Sequence, residues 1–465
     1  MWVRARRLPE AVDAEAAFAA LYRDSPYGFW LDSSRPGDRQ ARWSFLGDAG
    51  GPLAQVVTAD VWAGTVTVAD SSGAAEQLSM PFFDWLGAHH ERPVTMADAD
   101  VPFQVGWVGY LGYELKAECG GARAHRAPNP DAALLFADRV VAIDAISART
   151  YLFALDDGSG TAEQWLTETG DRLADLAPAE PPQFGVDATP LRLRHGRTEY
   201  LQLVDRCHQA IRVGDSYELC LTNMVEAPAG FDPWQAYRRL RQVAPAPYAA
   251  YLRFGDVAVL STSPERFLAV GRDGVAQSRP IKGTRPRGRD AAEDAALAAE
   301  LAANPKDRAE NLMIVDLVRN DLARVAEPGS VEVAGLFEVE TYATVHQLVS
   351  TVQARLRADR TAVDCVRAAF PGGSMTGAPK LRTMELLDEL EGGPRGVYSG
   401  ALGWLGVDGA LDLAMVIRTA VVARGLVSYG VGGAIVADSD PVAEYEETAV
   451  KATPLLRLLG AEFTG

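Results

Sequence analysis

The chain has 465 residues, 48% of them hydrophobic and 23% charged, a balance that lets a folded protein bury a substantial core. Its formal net charge of −17 argues against nonspecific binding to nucleic acid or to an acidic membrane, and an anionic substrate needs a local basic site or a metal ion to offset that field. Four scattered cysteines, Cys119, Cys207, Cys220 and Cys365, form no CxxC pair and read as reduced thiols rather than a disulfide framework or a zinc site. No apolar run reaches membrane-spanning length and MWVRARRLPEAVD holds no signal segment, so a soluble, cytoplasmic protein is expected.

Residues 1–175 mix short strand-like runs with turns. Runs at 53–58, 61–68 and 103–115, with Asp32-Ser33-Ser34 and Arg42-Trp43-Ser44 between others, predict an antiparallel sheet rather than alternating strands and helices. A helix is predicted over 162–176. Pro178, Pro181, Pro182 and Pro190 then mark 177–190 as a linker between an N-terminal region, 1–176, and a second region, 191–465.

Beyond it, 198–213 has helical spacing, and 216–225 and 251–260 read as strands. The clearest helix covers 306–325, where Leu312, Val315, Val318, Leu322 and Val325 recur on one stripe. Another helix is predicted over 379–390. Runs at 398–407, 411–422 and 427–437, joined at Asp408-Gly409 and Arg424-Gly425, predict a three-strand meander. Pro441 after Ser439-Asp440 starts the last helix.

The stretch SRPIKGTRPRG sets Lys282 before Gly283, where a ligand can approach the backbone, with Arg279, Arg285 and Arg287 nearby. Like charge disfavours an ammonium and leaves a lysine partly neutral and nucleophilic; the alternative is a basic surface loop. Asp307 and Glu310 stand one helical turn apart, as do Glu444 and Glu447. Such pairs can hold a hard divalent ion, or they complement a helix N-terminus. In the run 411–422, strand alternation places Arg418 on one face with Asp412, offering a planar fork to a carboxylate.

FPGGSMTGAPK is Gly-rich before a helix and can bind an anion through its amides, but Ala-Pro-Lys after Gly377 rules out a Walker loop. GVGGAIVAD lacks the helix that a dinucleotide fingerprint requires. His346 reads either as a general acid or base or as a hydrogen-bonded core histidine. Glu265 reads either as a catalytic acid or as a salt-bridge partner of Arg266.

The blocks SPERF, PIKGTRPRG, DRAENLMIVDLVRNDLARV, TVHQLVS, FPGGSMTGAPK, GVYSGALGW, LAMVIRTA, GGAIVADS and EYEETAVKA occur in one order over 263–452. In them the chain resembles the chorismate-utilising family of anthranilate synthase component I, isochorismate synthase, salicylate synthase and aminodeoxychorismate synthase component I. The resemblance implies an α+β fold, two large antiparallel sheets packed as a sandwich around the active site with helices outside. It implies Mg²⁺ held by Glu310 and Glu447, with Asp307 and Glu444 beside them. Arg418, Tyr398, Gly432, Gly433 and Ala434 then match substrate-binding positions, and Ser374 and Lys451 are placed with them. Glu265 matches the acid acting on the leaving hydroxyl, His346 the histidine beside the ring, and Thr284 joins the catalytic set.

Lys282 decides the branch. Direct attack of ammonia on ring carbon 2 gives an ortho amine; attack by a lysine there, then by ammonia on carbon 4, gives a para amine. The water-using relatives carry a general-base lysine where this chain has Glu218. The resemblance therefore implies conversion of chorismate and ammonia to 4-amino-4-deoxychorismate, for p-aminobenzoate and folate. The rivals are an anthranilate-type or 2-amino-2-deoxyisochorismate synthase and a non-catalytic chorismate-binding subunit. No cysteine sits in a glutaminase-like nucleophile turn, so a separate glutamine amidotransferase subunit is the expected partner.

Overall fold

The computed structural model describes residues 1–32, 41–185, 189–342 and 345–463; Ser33 and Ser34 of the DSS turn and residues 186–188 of the linker lie outside them. Two twelve-stranded antiparallel sheets form the body, with helices around them. The expected α+β sandwich is the observed one. Strand alternation gives each sheet an apolar face, and the two faces meet in a core that includes Phe29, Phe45, Trp107, Tyr110, Leu402 and Trp404. Burying side chains of this size contributes about 1.5–3 kcal/mol each. A second core covers the outer face of the first sheet, where Phe18, Trp234 and Leu455 from three helices meet Trp30, Tyr251 and Tyr429.

Each sheet joins a block of strands from before the linker to a block from after it at one seam. Tyr27–Asp32 pairs with Tyr248–Phe254 in the first sheet, and Gly106–Leu111 pairs with Ala401–Gly406 in the second. Arg395 adds a buried polar joint. Its backbone N–H and that of Gly396 donate to the Glu114 carboxylate at 2.9 and 3.0 Å. Its guanidinium donates to both Glu391 oxygens at 2.8 and 2.6 Å, and to the carbonyls of Met375 and Cys220 at 2.6 and 2.9 Å.

The predicted helices stand, at Thr161–Ala174, Arg197–Arg212, Pro305–Ala323, Lys380–Glu391 and Pro441–Leu459. The last is capped by the Asp440 side chain, which accepts from Ala443 N–H at 2.8 Å. Two predicted strands are hairpins instead. The run 61–68 contains the turn between Gln55–Asp60 and Thr65–Asp70, and 251–260 contains the turn between Tyr248–Phe254 and Val257–Ser263.

The meander is also corrected. Leu411–Met415 pairs in the second sheet, whereas Thr419–Ala423 pairs in the first. Between them the chain crosses the sandwich, with Arg418 at φ 51°. The shared face predicted for Asp412 and Arg418 therefore does not exist, because alternation holds only within one continuous strand. Thr262 clamps the crossing, its N–H and hydroxyl donating to the Arg418 carbonyl at 3.1 and 2.9 Å.

Candidate active site

A cleft of about 580 Å³ opens where the two sheets, the helix Pro305–Ala323 and the helix Pro441–Leu459 converge. Its wall includes Glu265, Lys282, Thr284, Ser374, Tyr398, Arg418, Gly432, Gly433, Ala434 and Lys451, together with Asp307, Glu310, Glu444 and Glu447.

Lys282 enters the cleft because its strand is bulged. Ile281 pairs with Val349 and Thr284 with Gln347, which leaves Lys282 and Gly283 as the irregularity that turns the lysine inward. Gly283 has φ 84°, and a Cβ there would lie 2.7 Å from Asp307 Cγ, so both backbone and space require glycine. The expected neutralisation of Lys282 by the nearby arginines fails. Arg279 pairs with Glu340, Arg285 with Glu300 and Asp307, and Arg287 with Asp294. Each of the three arginines meets a carboxylate. Lys282 Nζ instead donates to Glu218 Oε1 at 3.1 Å. Burial disfavours its charge, but Glu218 and Glu310 outweigh burial and raise its pKa above the ordinary lysine value.

Glu265 is buried beside it and accepts from the Ser374 hydroxyl at 3.3 Å. Burial pushes its carboxyl up to about 7 against the opposing pull of Lys282 and Ser374. It is no salt-bridge partner of Arg266, whose guanidinium grips Asp412 at 3.0 and 2.7 Å. A carboxyl that keeps its proton near neutral pH is suited to general-acid work.

The opposite wall is built by small residues. A Cβ on Gly430 would sit 2.1 Å from the Tyr398 ring, and one on Gly433 would meet Glu444 Oε2 at 3.0 Å. Their absence lets the tyrosine and the last helix lie against the strand Leu426–Ile435. Lys451 Nζ donates to the Gly432 carbonyl at 2.7 Å and pairs with Glu447 at 2.6 Å.

Glu310 and Glu444 both approach Lys306 Nζ, at 3.8 and 3.9 Å. Burial raises both carboxyls, Lys282 and Lys306 opposing this at Glu310 and Ser439 at Glu444; at Glu447 Lys451 outweighs burial and lowers the pKa. Asp307 lines the cleft, but its carboxylate is engaged by Arg285 at 2.9 Å. Among the described residues no three ligating side chains already close on one point. Mg²⁺ needs only one or two carboxylates, the rest of its shell coming from ligand oxygens and water, so the Glu310–Glu447 set fits such an ion.

His346 is corrected. Val345 and Gln347 line the cleft, so strand alternation turns His346 behind the sheet. There it is buried, with Nε2 2.9 Å from Asp294 Oδ1 and Nδ1 2.8 Å from the Thr341 hydroxyl. Lys306 was missed; its i, i+4 spacing to Glu310 was the available signal.

Fold and cleft define a class, an α+β protein with a cleft between two antiparallel sheets, lined by cations and carboxylates and holding a buried lysine among the carboxylates. The family model described as chorismate binding enzyme matches residues 62–457, and the chain belongs to that family. An aminodeoxychorismate synthase of Streptomyces griseus is 56% identical over 474 residues, covering 100% of this chain and 65% of that protein. Aminodeoxychorismate synthase component 1 of Klebsiella aerogenes is 43% identical over 362 residues, covering 77% of this chain and 78% of the relative. Among solved structures, anthranilate synthase component I from Streptococcus pneumoniae TIGR4 superposes with a TM-score of 0.77 at 29% identity, over 89% of this chain and 91% of that one. The chain spans 65% and 64% of the length of the two Streptomyces aminodeoxychorismate synthases it matches. No described helix is long and apolar enough to cross a membrane.

Proposed function

We propose that this chain converts chorismate and ammonia to 4-amino-4-deoxychorismate, with Lys282 as a covalent nucleophile. The observation that carries this reading is a lysine amine delivered into the cleft by a bulge, with a proton-bearing glutamate beside it. Glu265 protonates the departing 4-hydroxyl, which leaves as water, while Lys282 Nζ bonds to ring carbon 2. Ammonia then attacks carbon 4, and the lysine leaves. The cations Arg418 and Lys451 give the cleft its affinity for a dianion despite the charge of the chain. Glu310 and Glu447 would hold Mg²⁺, which when bound supplies positive charge to a substrate carboxylate.

The ammonia comes from a glutamine amidotransferase partner in this reading. Burial pushes the thiols of Cys119, Cys207 and Cys365 up to about 12, and raises Cys220 as well. Such thiols make poor thiolate nucleophiles for glutamine. The test is incubation with chorismate, Mg²⁺ and either ammonium or glutamine, followed by product identification. A para amine from ammonium is expected and none from glutamine. An ortho amine would move the chain to the anthranilate-type branch, and no turnover at all would leave a binding subunit.

A further inference from the structure

The reading of Lys282 as nucleophile leaves one requirement open. An ammonium has no lone pair, so a proton must leave Nζ before a bond to carbon can form. The groups that face this nitrogen are Glu218, Glu310, Glu265, Glu447 and the Cys220 thiol. Glu265 is protonated near neutrality and already binds Ser374. The Cys220 thiol is neutral, Glu310 acts on the lysine through space without a hydrogen bond, and Glu447 does the same while paired with Lys451 at 2.6 Å.

Glu218 differs from all of them. It is 1% exposed, at the start of the strand Glu218–Pro228, and its Oε1 accepts from Nζ at 3.1 Å. Its other oxygen, Oε2, is buried with no hydrogen-bond partner among the described residues. One oxygen thus already holds a lysine N–H, and the other presents lone pairs that no donor occupies.

We propose that Glu218 is the proton acceptor of Lys282, taking a proton from Nζ as the substrate arrives and returning it when the lysine leaves carbon 2. This rests on the nucleophile reading above. In the forward half the Nζ–H bond breaks, Glu218 becomes a neutral acid, and the freed pair forms the Nζ–C2 bond. The C4–O bond breaks in the same half, and the oxygen leaves as water with the proton of Glu265. In the return half ammonia bonds to C4, the C2–Nζ pair goes back to nitrogen, Glu218 reprotonates it, and the new ammonium on C4 returns a proton to Glu265. The sum is chorismate plus ammonia giving the amine and water, with no other reagent.

The experiment measures adduct formation by intact-protein mass. Chain and Mg²⁺ are mixed with chorismate without ammonia and quenched between about pH 7 and about pH 10, the latter near the ordinary lysine pKa. The wild-type chain is expected to gain the mass of chorismate less water on Lys282. Glu218→Gln keeps the size and the acceptor but cannot take a proton. Its adduct rate is expected to fall about 100-fold at neutral pH, then recover about tenfold per pH unit as the lysine loses its proton to solvent. Its KM for chorismate should stay close to that of the wild type, and Glu218→Asp should partly restore the neutral rate. A wild-type rate in Glu218→Gln, or a loss that neither pH nor aspartate relieves, would overturn the proposal and leave Glu218 as a counter-ion. A wild-type chain that makes the para amine with no adduct would instead remove the nucleophile reading, and this proposal with it.

Discussion

Two buried ion pairs in this molecule look alike on paper and differ in how they are satisfied. Arg395 and Glu391 are joined by two hydrogen bonds, and the remaining guanidinium N–H groups reach carbonyls of neighbouring segments. Glu391 Oε1 also accepts from Thr222 N–H at 2.9 Å. Lys282 and Glu218 share a single bond of 3.1 Å, and Glu218 Oε2 has no hydrogen-bond partner among the described residues. A fully satisfied pair holds segments in register. A half-satisfied one beside a cleft keeps a proton ready to move.

The largest expected effect lies at the second pair. Lys282→Ala should lower para-amine turnover more than about 10⁴-fold, as removal of a nucleophile does, while the thermal midpoint moves little because the vacated space opens on the cleft. The first pair should answer the other way. Arg395→Met leaves Glu391 buried without a counter-charge and should lower unfolding free energy by about 3–5 kcal/mol in denaturant titration. If both variants fail in the same assay, the contrast between the pairs is lost.

Glu265 sharpens the comparison through pH. Burial raises its pKa to about 7, so the acid form is present below that value and is lost as pH rises through it. Activity should fall on the alkaline side of about 7, approaching tenfold per unit, and Glu265→Gln should lower turnover about 100-fold and abolish that limb. The linked stability has the same sign: protonation favours the fold, so what Glu265 contributes is lost as pH rises from the ordinary glutamate range through about 7. Glu310→Gln should raise the Mg²⁺ concentration for half-maximal activity on the order of tenfold, read by metal titration after chelation. The smallest change should come from His346→Gln. Off the cleft, it should lower stability by about 1 kcal/mol and leave turnover nearly unchanged.

What the sequence could and could not reveal follows from the range of the interactions. Lys282, Glu265, Arg418 and the paired acids sit in short blocks that can be read locally, and the structure brings them to one cleft. The charge state of Lys282 was not legible, because Glu218 lies 64 positions away and the arginines find their carboxylates through folding. Periodicity also missed the crossing at Val416–Arg418, since LDLAMVIRTAVV holds no glycine or proline to mark a turn. His346 was ambiguous for the simplest reason. Strand alternation is visible in sequence, but which face meets the cleft is not.

The single seam in each sheet between strands from either side of the linker sets an order of events during synthesis. Tyr27–Asp32 waits for Tyr248–Phe254, and Gly106–Leu111 waits for Ala401–Gly406. The first strands to leave the ribosome thus carry bare edges and apolar faces until partners some 220 to 300 residues downstream arrive. A nascent chain arrested at the proline-rich segment 177–190 should be protease-sensitive and prone to pair with its neighbours, and protection should appear only once the Ala401–Gly406 strand has cleared the exit tunnel.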